Sequence, residues 1–202
     1  MLNERTKKRG MLMIVSGPSG AGKTTLCQLL LKEDRNFSYS ISVTTRNPRK
    51  NEKDKADYTF VSDDIFKQMI AENKFLEWAI VHGDYYGTPK QFVLENLKKG
   101  NDVLLELDVQ GGLQIKGKYP RDTVLVFIMP PDLKELEARL RNRATDSDEV
   151  IEKRLFNART ELKFVDCYDY FLINDSLENA FRKLKTIVST ENLKTYRFLD
   201  LE

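Results

Sequence analysis

"MLMIVSGPSGAGKTTL", residues 11–26, decides how the rest of the chain is read. The apolar run "MLMIV" leads into a glycine-rich turn, and an amphipathic stretch opens at Lys23. Strand, loop, then helix is the frame of a phosphate-binding loop. Gly17, Gly22, Lys23 and Thr24 fill the fixed positions of G-x-x-x-x-G-K-[ST] within it. Glycines let main-chain N–H groups converge on a β-phosphate, and the following helix adds its N-terminal partial positive charge. The expected nucleoside triphosphate cradle is therefore Gly17, Pro18, Ser19, Gly20, Ala21, Gly22, Lys23, Thr24 and Thr25. Lys23 is placed to reach the β- and γ-phosphates, and the Thr24 hydroxyl to ligate Mg²⁺.

The loop says what gives the phosphate, not what receives it. A chain of 202 residues with 41% hydrophobic content is one α/β domain with room for a small insertion. Its 33 basic and 31 acidic residues leave a net charge of +2, which argues against nucleic acid or an anionic membrane as a partner. Two cysteines, Cys27 and Cys167, are too few for a disulfide framework, and His82 is the only histidine. A zinc centre and an imidazole triad are disfavoured on that count. The apolar run near the N-terminus is too short for a signal peptide, and no run approaches ~18 apolar residues. A cytoplasmic location is the expectation.

Beyond the loop, short apolar runs alternate with helical patterns. Buried strands are expected at 11–16, 103–108, 123–129 and 170–174, and helices at 23–32, 63–73, 91–99, 133–143 and 148–164. A last helix starts after Ser176, with Leu177, Phe181, Leu184 and Val188 on one face. Ser62, Ser147 and Ser176 read as N-caps and Gly100 as a C-terminal stop. This alternation predicts a parallel sheet flanked by helices, the P-loop NTPase arrangement. Residues 39–88 break the rhythm with several strand-like pieces ("YSISVTT", "YTFV", "FLEWAIV", "DYYGT") around one helix. They are expected to form a small mixed-sheet insertion with an antiparallel patch in the core 1–38, 89–134 and 165–202, with a helical lid at about 135–164.

An acceptor kinase must clamp a second anionic substrate opposite the γ-phosphate. "TTRNPRK" offers Arg46 and Arg49, whose guanidinium forks suit phosphate oxygens. Tyr58 and Tyr86 supply hydroxyls on neighbouring strand-like pieces, and Glu77 and Asp108 are acids where strands favour apolar or small residues. An acid inside "FLEWAIV" is either outward-facing by alternation or a dedicated hydrogen-bond acceptor.

From "IVSGPSGAGKTTL" through "SVTTRNPR", "DYTF", "FLEWA", "YYGT", "LELDVQG" and "FIMPP" to "LINDS", the chain resembles the guanylate kinases, most closely the bacterial ones. The resemblance implies phosphotransfer from Mg-ATP to GMP, and to dGMP. It implies that Arg46, Arg49, Tyr58 and Tyr86 hold the GMP phosphate, and that Ser42, Glu77, Thr88 and Asp108 surround the guanine. Residue chemistry agrees: guanine presents N1–H and the N2 amino group side by side, and carboxylates only accept. Arg139, Arg143 and Arg154 match lid arginines that close over the transferring phosphoryl group and complete the catalytic set with Lys23 and Arg46. Asn174 matches a residue near the adenine. The partners implied are ATP and GMP, and a homodimer stays open. The family usually has glycine at Ala144, Asp at Glu106 and often glycine at Asn51 and Lys55, so a stiffer hinge and a different loop shape are expected there. The remaining alternatives are a related kinase with another phosphorylated acceptor and a non-enzymatic binding module of the same fold.

Overall fold

The computed structural model describes residues 8–49, 52–81, 83–142 and 147–198. In chain order the elements begin with β1 (Leu12–Ser16), α1 (Lys23–Glu33), β2 (Phe37–Tyr39), β3 (Val43–Thr44) and β4 (Thr59–Phe60). Next come α2 (Asp63–Ala71), β5 (Phe75–Val81), β6 (Asp84–Pro89), α3 (Lys90–Lys99), β7 (Asp102–Glu106) and α4 (Val109–Lys118). The last are β8 (Thr123–Met129), α5 (Leu133–Asn142), α6 (Asp148–Glu161), β9 (Tyr170–Ile173) and α7 (Leu177–Asn192).

Five strands form a parallel sheet in the order β2-β7-β1-β8-β9. β1 lies in its middle and is buried along its whole length, because alternate residues feed two different cores. Met13 and Val15 pack with Leu26, Leu30, Leu184 and Val188 of α1 and α7. Leu12 and Ile14 pack with Val93, Leu97 and Ile115 of α3 and α4. A strand covered on both faces reads as a continuous apolar run, which is why β1 and β8 were visible in the sequence. β8 adds Phe127 and Met129 to a third core with Leu136, Leu140, Ile151 and Leu155 of α5 and α6.

The remaining strands form a second sheet, β4-β3-β6-β5. The expected antiparallel patch is β3–β6 with β5–β6, and the parallel pair β3–β4 makes the insertion the expected mixed sheet. The run "YSISVTT" divides: Phe37–Tyr39 pairs with β7 in the larger sheet, and only Val43–Thr44 joins the smaller one. α4 was not expected. "VQGGLQIKGK" carries three glycines, poor helix formers, and Asp108, read as the end of a strand, is its N-cap. The helix expected to run to residue 164 ends at Glu161 and tightens into a 3-10 segment, Leu162–Cys167. Ser62 and Ser176 cap through their side chains, Ser147 caps without a side-chain bond, and Gly100 ends α3 at a φ of 84°.

The smaller sheet is closed by aromatic packing. Phe66 of α2 is fully buried and stacks on Phe75 at 4.4 Å and Tyr85 at 5.1 Å between ring centroids. Gly87 is needed beneath them, since a Cβ there would lie 2.7 Å from the Phe75 ring. Phe66→Ala should cost ~3–5 kcal/mol, read as a lower denaturant midpoint. A loss below about 1 kcal/mol would show that the stacked rings contribute little to this unit.

Candidate active site

A cleft of about 690 Å³ lies between the loop after β1 and the smaller sheet. The loop's turn depends on missing side chains. Gly17, Gly20 and Gly22 have φ of 132°, 93° and 90°. A Cβ on Gly17 would fall 2.0 Å from the Ile128 carbonyl oxygen, and one on Gly22 would fall 2.3 Å from Asn174 Nδ2. Lys23 Nζ donates to the Gly17 and Pro18 carbonyls at 2.6 and 3.0 Å, so the ammonium already lies along the loop. Thr24 Oγ1 donates to Glu106 Oε1 at 3.0 Å. Asn174 is buried: Nδ2 donates to the Ala21 carbonyl at 2.8 Å, its main-chain N–H bonds Met129, and its own carbonyl accepts from Arg139 at 3.0 Å. It braces the loop from below. Ser19 Oγ meets Arg154 Nη1 at 2.7 Å, and Arg139 also pairs with Glu135, the offset its i,i+4 spacing suggests. Arg143 and Ala144, like Asn51, lie outside the described residues.

Across the cleft, Arg46 lies over the Tyr58 ring at 5.5 Å and donates Nε–H to the Tyr86 hydroxyl at 3.1 Å. Ser42, Arg49, Tyr58, Glu77, Tyr86 and Asp108 line the same wall. Lys55 has a φ of 60°, the left-handed conformation glycine would adopt. A lysine at this φ bears the backbone strain that a glycine would avoid.

Glu77 occupies its place because of an irregularity in β5. Phe75 pairs with Pro89 and Glu77 with Thr88, and the register shifts between them. This bulge sends Phe75 into the small sheet's core, Leu76 into the core under α3 and α4, and Glu77 into the cleft wall. Strict alternation fails here, and the outward-facing option for Glu77 fails with it. Only 4% of the residue is exposed, and Thr88 Oγ1 donates to Oε1 at 2.7 Å. Burial raises the carboxyl to about 7; the Thr88 bond opposes the rise and the charge of Asp108 adds to it. Asp108 accepts from the Gly111 amide at 2.7 Å, and a Cβ on Gly111 would stand 2.9 Å from Glu77 Oε2. Sequence reasoning missed two cleft acids. Glu52 pairs with Arg46, and burial raises the carboxyl of Glu161, on the last turn of α6.

A parallel core with a glycine loop after its central strand, facing arginines and buried acids, defines a P-loop kinase for a small phosphorylated acceptor. The chain belongs to the guanylate kinase family: the family's sequence model, described as Guanylate kinase, matches residues 9–191. It is 48% identical over 195 residues to a guanylate kinase of Caldanaerobacter subterraneus subsp. tengcongensis, covering 96% of this chain and 94% of that one. It is 50% identical over 189 residues to one of Carboxydothermus hydrogenoformans, covering 94% and 92%. The crystal structure of guanylate kinase from Anaplasma phagocytophilum superposes with a TM-score of 0.81 at 32% identity, covering 98% of this chain and 94% of that one.

The raised Glu77 carboxyl also sets a pH dependence of stability. A group whose pKa is higher folded than unfolded stabilises most below its unfolded value, near 4.5, and loses that contribution as pH rises through about 7. Wild type should therefore lose stability relative to Glu77→Gln between pH 5 and pH 8, by a few kcal/mol at most. Parallel denaturant curves of the two proteins at both pH values check this. A pH-independent difference would mean that Glu77 titrates as an exposed carboxylate.

Proposed function

We propose that this chain transfers the γ-phosphoryl group of ATP to GMP, and to dGMP, giving ADP and GDP or dGDP. The observation that carries the base assignment is the buried Glu77 carboxylate, held by Thr88 in a wall that also contains Asp108. Guanine's N1–H and N2 amino donors suit paired carboxylate acceptors, Ser42 supplies a hydroxyl for the ring's other edge, and Thr88 serves the site by holding Glu77. Adenine, with an acceptor at N1, would leave Glu77 unpaired, and an unpaired buried group penalises binding. Nothing in this reading of the base requires a ribose 2′-hydroxyl.

Arg46, Arg49, Tyr58 and Tyr86 hold the acceptor phosphate in this scheme. The main chain of Gly17–Gly22 holds the donor phosphates, with Lys23 and the helix terminus behind it, and Thr25 lines the same cradle. Lys23 exchanges its carbonyl partners for phosphate oxygens, a trade favoured because bonds between charged partners are the stronger ones. Asn174 acts near the adenine chiefly by keeping the loop in shape. The acceptor phosphate is already anionic, so no general base is required. The side chains' task is to align the two phosphates and spread positive charge over the transferring group. Arg139, Arg143 and Arg154 supply that charge from the lid side while excluding water.

Thr24 Oγ1 and Glu106, 3.0 Å apart at the end of β7, are hard oxygen donors suited to Mg²⁺, bound directly or through its waters. The ion neutralises phosphate charge when bound. No helix among the described residues is long and apolar enough to cross a membrane. The free thiols of Cys27 and Cys167 fit work in the cytoplasm.

The test is an ADP-release assay with Mg-ATP and each nucleoside monophosphate in turn, on wild type, Glu77→Gln and Arg49→Ala. GMP should be the best acceptor. Glu77→Gln removes a charged acceptor from a hydrogen bond of roughly 1.5–3 kcal/mol. Its kcat/KM for GMP should fall roughly ten- to a hundredfold while AMP loses little. Arg49→Ala should weaken every monophosphate alike. Faster turnover of another monophosphate by wild type, or an unchanged GMP/AMP ratio in Glu77→Gln, sinks the base assignment.

A further inference from the structure

Glu52 appears in none of the sequence motifs, yet it joins the two arginines of the acceptor wall. Arg46 Nη2 donates to Glu52 Oε1 and Oε2 at 2.8 and 2.9 Å, and the Arg49 main-chain N–H donates to Oε2 at 2.8 Å. The Glu52 N–H donates back to the Arg49 carbonyl at 3.0 Å, so Arg49 and Glu52 are tied to each other by two hydrogen bonds. Arg46 is further fixed by Asn47 O at 2.7 Å, by the Tyr86 hydroxyl, and by the rings of Tyr58 and Phe60. With the Glu52 bonds, all three guanidinium nitrogens of Arg46 have a partner. Arg49 lines the cleft, and its guanidinium has no hydrogen-bond partner among the described residues.

We propose that Glu52 is a positioning residue for acceptor-phosphate binding: it sets the Arg46 guanidinium through its side chain and Arg49 through the main chain before the nucleotide arrives. The inference rests on the reading of Arg46 and Arg49 as phosphate ligands. Two long side chains ordered only at the moment of binding would cost affinity, and ordering them in advance recovers it. A carboxylate beside a phosphate site also repels the ligand, and the contacts decide between the two effects. Both Glu52 oxygens are engaged by N–H donors, and the Arg46 and Glu52 side chains are only 16% and 17% exposed. The anion is thus neutralised in place. Burial alone would raise the Glu52 carboxyl, but the bonds from Arg46 and the Arg49 amide hold it below the ordinary range.

The test compares wild type with Glu52→Ala, Glu52→Gln and Arg46→Ala, using steady-state kinetics at saturating ATP and calorimetric binding of GMP and of guanosine, which has the base but no phosphate. Glu52→Ala should raise KM for GMP roughly tenfold, with KM for ATP and guanosine affinity unchanged. The near-isosteric Glu52→Gln keeps one acceptor oxygen and should fall between. Tighter GMP binding in Glu52→Ala would show that the carboxylate competes with phosphate, and would overturn the proposal. Equal weakening of GMP and guanosine would reduce Glu52 to a fold contact, and no change would reduce it to a surface ion pair; each overturns it. If Arg46→Ala binds GMP as tightly as wild type, the phosphate-site reading itself fails. If Arg46→Ala weakens GMP while both Glu52 variants leave it untouched, only the positioning role fails.

Discussion

The geometry of this molecule hangs on how closely main chain approaches main chain at the end of β1. Gly17 passes so near the Ile128 carbonyl that no side chain fits, and Gly22 leaves the room that the Asn174 amide fills. Both neighbours follow from β1 being the middle strand: Ile128 belongs to β8 beside it, and Asn174 follows β9, one strand further out. Three parallel strands therefore shape one loop. A helix terminus alone offers a diffuse partial charge, whereas a loop pinned from beneath presents its N–H groups in a fixed array. The apolar cores on either side of β1 keep those strands from shifting against one another.

β5 couples this rigid half to the acceptor wall. Its bulge gives consecutive residues three destinations: Phe75 to the small core, Leu76 to the large core, and Glu77 to the cleft. Lys118, at the end of α4, donates to the Leu76 carbonyl at 3.1 Å, while the start of α4 brings Gly111 against Glu77. One helix thus supports the bulge at one end and lies beside the buried acid at the other. A carboxylate so desolvated is unfavourable as a structural element, because the same space could hold an apolar group. Its place is better explained by a ligand that brings matching donors than by any gain to the empty fold.

What was legible in the chain follows from how each feature is encoded. β1, β8 and the loop glycines are local: a doubly covered strand must be apolar throughout, and a turn with positive φ calls for glycine. Glu77 stood out as an anomaly inside a strand pattern, although only the bulge shows which way it faces. Other features are set by distant partners. The parallel pairing of β3 with β4 depends on the path of the long loop between them, and β2 is three residues whose strand character comes from its neighbour β7. α4 was hidden by glycines that permit close packing on Ser16 and Glu77 while weakening the helical pattern. Glu52 and Glu161 sit in stretches of mixed charge, where no spacing separates a cleft acid from a solvated one.

The balanced composition and the arginine-rich cleft are compatible because several of the cations are committed locally. Arg46 faces Glu52, Arg139 faces Glu135, and Lys23 and Arg154 turn to oxygens of the loop itself. A cleft of unpaired cations would repel itself in the free protein and attract any polyanion. Pairing removes that self-repulsion and fixes the cations in place before a ligand arrives. A single surface ion pair is too weak to matter much, since exposed pairs contribute ~0–1 kcal/mol, but several aimed at one volume act together. A phosphate must then place its acceptor oxygens where these fixed cations can reach them. In the proposed scheme a phosphorylated guanine would satisfy the arginines and the buried acids at once, whereas inorganic phosphate or a bare base would satisfy one set alone. On that scheme, selectivity for the whole nucleotide would arise from contacts that exist before it binds, and would not require a strongly basic chain.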